Sequence, residues 1–186
     1  MTLATCIKTC TRCELRKECT QVVTGRGDPT CGLWYVGETP GRDEDAQGVC
    51  FVGRAGRLLN LLNTKVGIKA GYIDNLVKCR PPENRSPEQT EVEACTFWLG
   101  KQLTTYQPKV IVAMGRYSIG YFCGYDWAKT KNMAITQEVF GYTEHAGRYV
   151  ISTCQPAYLC RNSEVIPGFL SQLRLAHRLY LKHCCK

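Results

Sequence analysis

At 186 residues, with 44% hydrophobic and 22% charged side chains, the chain can bury the core of one soluble domain without covalent staples. Its net charge of +8 favours an anionic partner. No apolar run is long enough for a membrane span or a secretory leader, so the expected setting is intracellular, in the cytoplasm or nucleoid. Thirteen cysteines, an odd count in a chain read as unexported, argue against a disulfide framework and for a metal or cluster site with spare thiols.

Cys6, Cys10, Cys13 and Cys19 crowd the N-terminal segment. No strand precedes Cys10-x-x-Cys13, which argues against a thioredoxin-like redox pair. A metal knuckle needs two more thiolates, and Cys79 and Cys95 are available downstream. Four thiolates suit Zn²⁺ or an iron–sulfur cluster, and spacing alone does not choose between them. The run LWYV at residues 33–36 predicts a buried strand. Residues 37–53 make a Gly- and Pro-punctuated, acid-rich loop carrying Glu38, Asp43, Glu44, Asp45 and Phe51. Residues 55–66 then offer Leu58, Leu59, Leu61 and Leu62 as the apolar face of a helix. A strand running through such a loop into a helix puts the loop at the carboxyl end of a parallel strand, where open α/β sheets keep their ligand sites.

A second strand is expected at residues 72–77, ended by Pro81 and Pro82. Ser86-Pro87 opens a helix to about residue 106, with Glu88, Glu91 and Glu93 in its early turns. Residues 109–114 read as the clearest strand, followed by a helix over 116–123. Residues 124–147 read as irregular, with a short hairpin around 137–142. A last strand at 148–153 leads into the string CQPAYLCRN and a C-terminal helix over about 167–183. This alternation predicts an α/β fold, a three-layer α/β/α sandwich around a central, mostly parallel four-stranded sheet. The whole chain is expected to form one domain, with the cysteine-rich N-terminal segment packed on it. The loops 37–53, 75–82 and 154–162 should then converge on one rim, and they hold nearly all the distinctive polar residues.

Cys10-x-x-Cys13, GETPGRDEDAQGVCFVGRAGRLLN at 37–60, NLVKCRPPENRSP at 75–87, Cys95 and QPAYLCRN at 155–162 together resemble the family 4 uracil-DNA glycosylases, the iron–sulfur branch of their superfamily. The resemblance covers nearly the whole chain and rests on long strings. It implies a [4Fe–4S] cluster on Cys10, Cys13, Cys79 and Cys95, structural in role, with Cys6, Cys19, Cys31, Cys50, Cys123, Cys154, Cys160, Cys184 and Cys185 as plain thiols. It also implies a monofunctional enzyme acting on uracil in single- or double-stranded DNA for base excision repair, a monomer by itself or within a repair or replication assembly. Phe51 would stack on the flipped base, although a core aromatic would look the same. Asn75 would read the uracil edge beside Gly37, and Glu44 would crowd out thymine's methyl group. Glu38, with Thr39, would lie beside the reaction centre, and Gln155 would face the leaving base. Tyr158, Leu159 and Arg161 would enter the DNA groove, with Arg80 and Arg85 as phosphate contacts or, equally, solvated surface cations.

Three residues depart from the family pattern. Gln155-Pro156 stands where His-Pro is usual, and an amide there can donate to the base but stabilises the transition state less. Thr39 replaces a small residue near the expected water. Cys50 replaces a proline and should loosen Phe51. These changes leave open a glycosylase for another modified pyrimidine, or a DNA-binding module with weak or absent catalysis. The stretch from Cys79 to Cys95 holds no histidine, so a covalent trap of the kind seen in crosslinking relatives is not expected.

Overall fold

The computed structural model describes residues 2–133 and 141–185. Two short helices, α1 (Leu3–Lys8) and α2 (Leu15–Glu18), lead to strand β1 (Leu33–Gly37). Helices α3 (Arg42–Gln47) and α4 (Arg54–Lys65) separate it from β2 (Tyr72–Asn75). A 3₁₀ turn, Pro82–Asn84, precedes α5 (Gln89–Tyr106), β3 (Val110–Met114), α6 (Arg116–Cys123) and α7 (Trp127–Asn132). The chain ends with β4 (Gly141–His145), β5 (Arg148–Thr153), α8 (Pro156–Leu159), a 3₁₀ turn at Ser163–Val165 and α9 (Ile166–Cys184).

The sheet order is β2-β1-β3-β5-β4, parallel except for β4, which runs antiparallel to β5. The four expected parallel strands lie side by side as β2-β1-β3-β5. The fifth, β4, was not expected because GYTEH is only half-buried on alternate residues and carries no apolar run. Its hairpin with β5 turns at Ala146 and Gly147, both in the left-handed region that a two-residue turn between twisted strands requires. The hairpin expected near 137–142 is thus displaced toward the C-terminus where the chain is described, and residues 137–140 lie outside the described residues.

Every residue of β1 and β3 is buried, because helices cover both faces of the sheet. Leu33, Tyr35, Val110 and Val112 pack in one core with Leu59 of α4 and Phe169 and Leu173 of α9. Trp34, Val36, Ile111 and Ala113 pack in the other with Leu99 and Leu103 of α5 and Phe122 of α6. A third, smaller core joins Ile7, Leu15, Cys19 and Val22 to Val77, Cys79 and Cys95, and this holds the N-terminal segment to the sheet. The second strand is shorter than expected. Leu76 and Val77 leave it to donate to the carbonyls of Gly37 and Glu38 at 2.9 and 2.8 Å. Among the described residues, no helix is long and apolar enough to cross a membrane.

Candidate active site

The parallel register sets Gly37, last in β1, beside Asn75, last in β2. A Cβ at Gly37 would stand 2.4 Å from Asn75 Oδ1 and 2.8 Å from Phe51 Cζ, so glycine is what lets the amide and the ring meet at the strand end. Asn75 is 1% exposed, and its Oδ1 is buried without a hydrogen-bond partner. Its Nδ2 reaches only the Cys50 sulfur, at 3.6 Å. An orphaned polar atom of this kind costs about 1–3 kcal/mol, so native structures keep few of them, and a binding role is one of the reasons they persist.

Phe51 has φ 55°, a region that bulky residues enter only when their surroundings force it. Arg26 Nε donates to the Cys50 carbonyl at 2.8 Å, and Gly56 packs so closely that a Cβ there would overlap the Phe51 carbonyl. Phe51 belongs to the core against α4 and α9 and also borders the cleft. Cys50 is fully buried in this arrangement. The Arg26 bond and the close approach of Gly56 bear on the segment where Cys50 replaces a proline.

Around this floor lies a cleft of about 500 Å³, bordered by Glu38, Thr39, Glu44, Gln155, Tyr158 and Arg161 besides Phe51 and Asn75. Glu44 bridges the two ends of its loop, with Oε2 accepting from Gly41 N at 3.1 Å and Oε1 from Gly53 N at 3.2 Å. Its neighbour Asp45 points the other way and takes the backbone N–H groups of Thr20 and Gln21 at 3.0 and 3.3 Å. Glu38 Oε1 accepts the N–H of Tyr117 at 3.0 Å, and the Gln155 side chain lies beside the same carboxylate. Gly115, at φ 91°, makes that meeting possible, since a Cβ there would lie 2.6 Å from Glu38 Oε1 and 2.7 Å from Gln155 Cγ. Burial raises the Glu38 pKa, and the Tyr117 hydrogen bond, the Gln155 side chain and the Arg116 charge offset this only in part.

Two expectations fail here. Leu159 does not face a groove; it is 2% exposed and packs in the core, because the short helix α8 turns it inward while Tyr158 borders the cleft. Arg85 is not a free cation. It makes two hydrogen bonds to Glu91, at 3.0 and 2.6 Å, and fastens the start of α5. Arg80 spends its Nε on Asn84 Oδ1 at 2.8 Å, and Asn84, at φ 57°, is itself on the cleft wall. Asn84 and Gly115 are additions to the expected set, and Asp45, named with the loop, turns away from the cleft to hold Thr20 and Gln21. Asn84 had a sequence signal, an asparagine suited to left-handed backbone just after Pro81-Pro82, whereas Asp45 sits in an acidic run that singles out none of its members.

Cys10, Cys13, Cys79 and Cys95 line one small apolar cavity with Val22, Val77 and Trp98. Trp98 Nε1 donates to Cys10 Sγ at 2.9 Å, and Lys78 N donates to Cys95 Sγ at 3.3 Å. Burial pushes the thiols of Cys13 and Cys79 up and that of Cys95 to about 11, with neighbouring sulfurs adding to the rise in each. Among the described residues, no group of three or more His, Cys, Asp or Glu side chains stands close enough to hold a metal ion. Cys19 is a neighbour the sequence did not distinguish: it is buried in the same small core, with its thiol toward Cys79.

The sequence model of the uracil DNA glycosylase superfamily matches residues 24–174. The chain belongs to that superfamily. The type-4 uracil-DNA glycosylase of Thermotoga maritima is 40% identical to it over 158 residues, 84% of this chain and 80% of that relative. The type-4 enzyme of Archaeoglobus fulgidus is 45% identical over 114 residues, 60% of this chain and 57% of the relative. That of Sulfurisphaera tokodaii is 43% identical over 115 residues, 60% of this chain and 52% of the relative, so the two archaeal matches span little more than half of those proteins. The expected type-4 family and its α/β fold are borne out. The superfamily match includes every cleft residue named above together with Cys79 and Cys95, while Cys10 and Cys13 lie ahead of it.

Proposed function

We propose that this uracil DNA glycosylase excises uracil from DNA, hydrolysing the N-glycosidic bond and leaving an abasic site for base excision repair. The observation that carries the reading is the buried, unpartnered Oδ1 of Asn75 beside the Phe51 ring. A uracil turned out of the stack brings a flat ring to Phe51 and an N3–H next to its O4. Asn75 Oδ1 is the acceptor that N3–H requires, and Nδ2 is held only by a long contact to Cys50 and can serve O4. Cytosine reverses this donor–acceptor pattern. Glu44, stapled between Gly41 and Gly53, stands as the group that crowds a methylated base.

As the bond breaks, its electron pair goes to the base and the sugar becomes oxocarbenium-like. Gln155, on the cleft wall beside Glu38, has two amide hydrogens, either of which can meet the charge growing on the base carbonyl. Glu38, with Thr39 beside it, orients the attacking water, and a raised pKa suits a group that takes up the water's proton. Tyr158 and Arg161 at the mouth contact the strand, Arg161 through phosphate. Arg80 acts indirectly, by orienting Asn84.

Cys10, Cys13, Cys79 and Cys95 are the proposed ligands of a [4Fe–4S] cluster. Four cysteines around one small apolar cavity suit a thiolate-bound group, and two of them already receive N–H donors that suit thiolates. When bound, the cluster supplies a cross-link between the N-terminal segment and the sheet.

An end-labelled oligonucleotide with one uracil, single-stranded or opposite guanine, tests the reading when alkali follows incubation. The wild type should produce strand breaks. Asn75→Ala should slow them about 10²–10³-fold while DNA is still bound. Uracil-DNA bound without breaks would overturn the enzymatic reading in favour of a binding module.

A further inference from the structure

On the outer edge of β2, Ile73 exchanges two backbone hydrogen bonds of 2.9 Å with Arg26, but among the described residues no strand pairs with Asn75 on that side. At Asn75 two buried charges fill that place. Asp74 Oδ1 accepts the Asn75 N–H at 2.8 Å, and Lys78 Nζ donates to the Asn75 carbonyl at 2.6 Å. The two side chains pair at 2.7 Å and are 2% and 0% exposed for Lys78 and Asp74. Gln102 Nε2 donates to Asp74 Oδ2 at 2.8 Å, and the Tyr72 hydroxyl donates to it at 3.3 Å. From its own backbone, Lys78 donates to Cys95 Sγ at 3.3 Å.

A buried ion pair seldom stabilises a fold more than an apolar pair of the same shape would, so its presence here calls for another reason. The geometry offers one. The Asn75 amide must keep an oxygen unpartnered to read a base, so Asn75 has to be fixed through its backbone alone. Asp74 and Lys78 do this from either side of the residue without satisfying Oδ1.

We propose that Lys78 is a positioning residue: with Asp74 it grips the two peptide groups flanking Asn75, aims the amide at the base, and links that aim to the cysteine cavity through Cys95. This rests on the base-reading role of Asn75 proposed above. Lys78→Met keeps the stem and removes the ammonium group. Asp74→Asn combined with Lys78→Met removes both charges and so leaves no unpaired buried carboxylate.

The test is single-turnover excision from the uracil oligonucleotide, with visible absorbance and Tm recorded for each protein. Either variant should lose about 10–100-fold in rate while its affinity for DNA changes little. Repeated in an Asn75→Ala background, the same changes should have almost no effect, because no amide is left to aim. An equal loss in both backgrounds would mark Lys78 as merely structural and overturn the proposal, as would a folded charge-free variant with the full wild-type rate. A wild type that releases no uracil would overturn the base-reading role and this one with it. An active wild type matched by Lys78→Met would overturn this one alone.

Discussion

The cleft and the cysteine cavity share one run of chain: Asn75 floors the first, and Cys79 lines the second only a turn later. They are built in opposite ways. The cleft is shaped by backbone, through Gly37 and Gly115 where a Cβ would collide and through Phe51 in a left-handed conformation. The Asn75 Oδ1 is left unpaired in it, and the surrounding sheet carries the energetic cost. The cysteine cavity is shaped by side chains, the four cysteines with Val22, Val77 and Trp98 among them. A hollow framed by a sheet keeps its form when empty. Burial raises the pKa of the Cys13, Cys79 and Cys95 thiols, which disfavours thiolates there unless the proposed cluster supplies a positive centre.

The largest test of that contrast is Cys95→Ser. We expect the purified variant to lose the iron absorbance near 400 nm, expose the N-terminal segment to protease, and melt about 10 °C lower. Asn75 should remain at the floor of a folded sheet, visible in amide spectra of the core strands. A variant as stable and as coloured as the wild type would show that the cavity does not need this sulfur.

A smaller effect is expected within the cleft, at Glu38. Its folded pKa lies above the unfolded value, so its contribution to stability is present at low pH and is lost as pH rises through the raised pKa. Activity should run the opposite way, because the carboxylate is the working form. The pH–rate profile should show an acid limb above the ordinary glutamate value of about 4.3. Glu38→Gln should flatten that limb and slow excision about 10²-fold, with Tm at neutral pH unchanged or slightly higher. An unmoved limb would assign it to another group.

The smallest change expected is at Arg85, which lies outside both sites. Arg85→Ala should cost about 1 kcal/mol, a modest figure because the guanidinium is 37% exposed, and should leave DNA affinity within about twofold. A large loss of DNA binding without a loss of stability would restore Arg85 as a phosphate contact. Thermal melts and a DNA titration at fixed salt separate the two.

Much of this was legible in the sequence, for physical reasons that differ from place to place. Strands β1 and β3 announce themselves because burial on both faces demands an unbroken apolar run, whereas β4 at the sheet's edge demands little and so shows little. The cleft residues could be named from their strings, but a string gives adjacency and not direction. Tyr158 and Leu159 are neighbours in sequence, and one borders the cleft while the other enters the core. Arg85 looked like a free cation because nothing in the sequence says that Glu91 will face it across the first turn of α5. Lys78 was hidden for the same reason. A lysine is ordinarily read as a solvated charge, and only the fold shows it buried against Asp74.

The Asp45 contact sets a rule for how this chain can vary. Its carboxylate reads only main-chain N–H groups at Thr20 and Gln21, and the Thr20 side chain is exposed. Position 20 can therefore drift through nearly the whole alphabet, with proline alone barred for want of a hydrogen. Position 45 has less freedom, since a shorter or longer side chain would lose the two N–H groups at Thr20 and Gln21. An ordinary-looking member of an acidic run is thus expected to tolerate substitution less than the residue it holds.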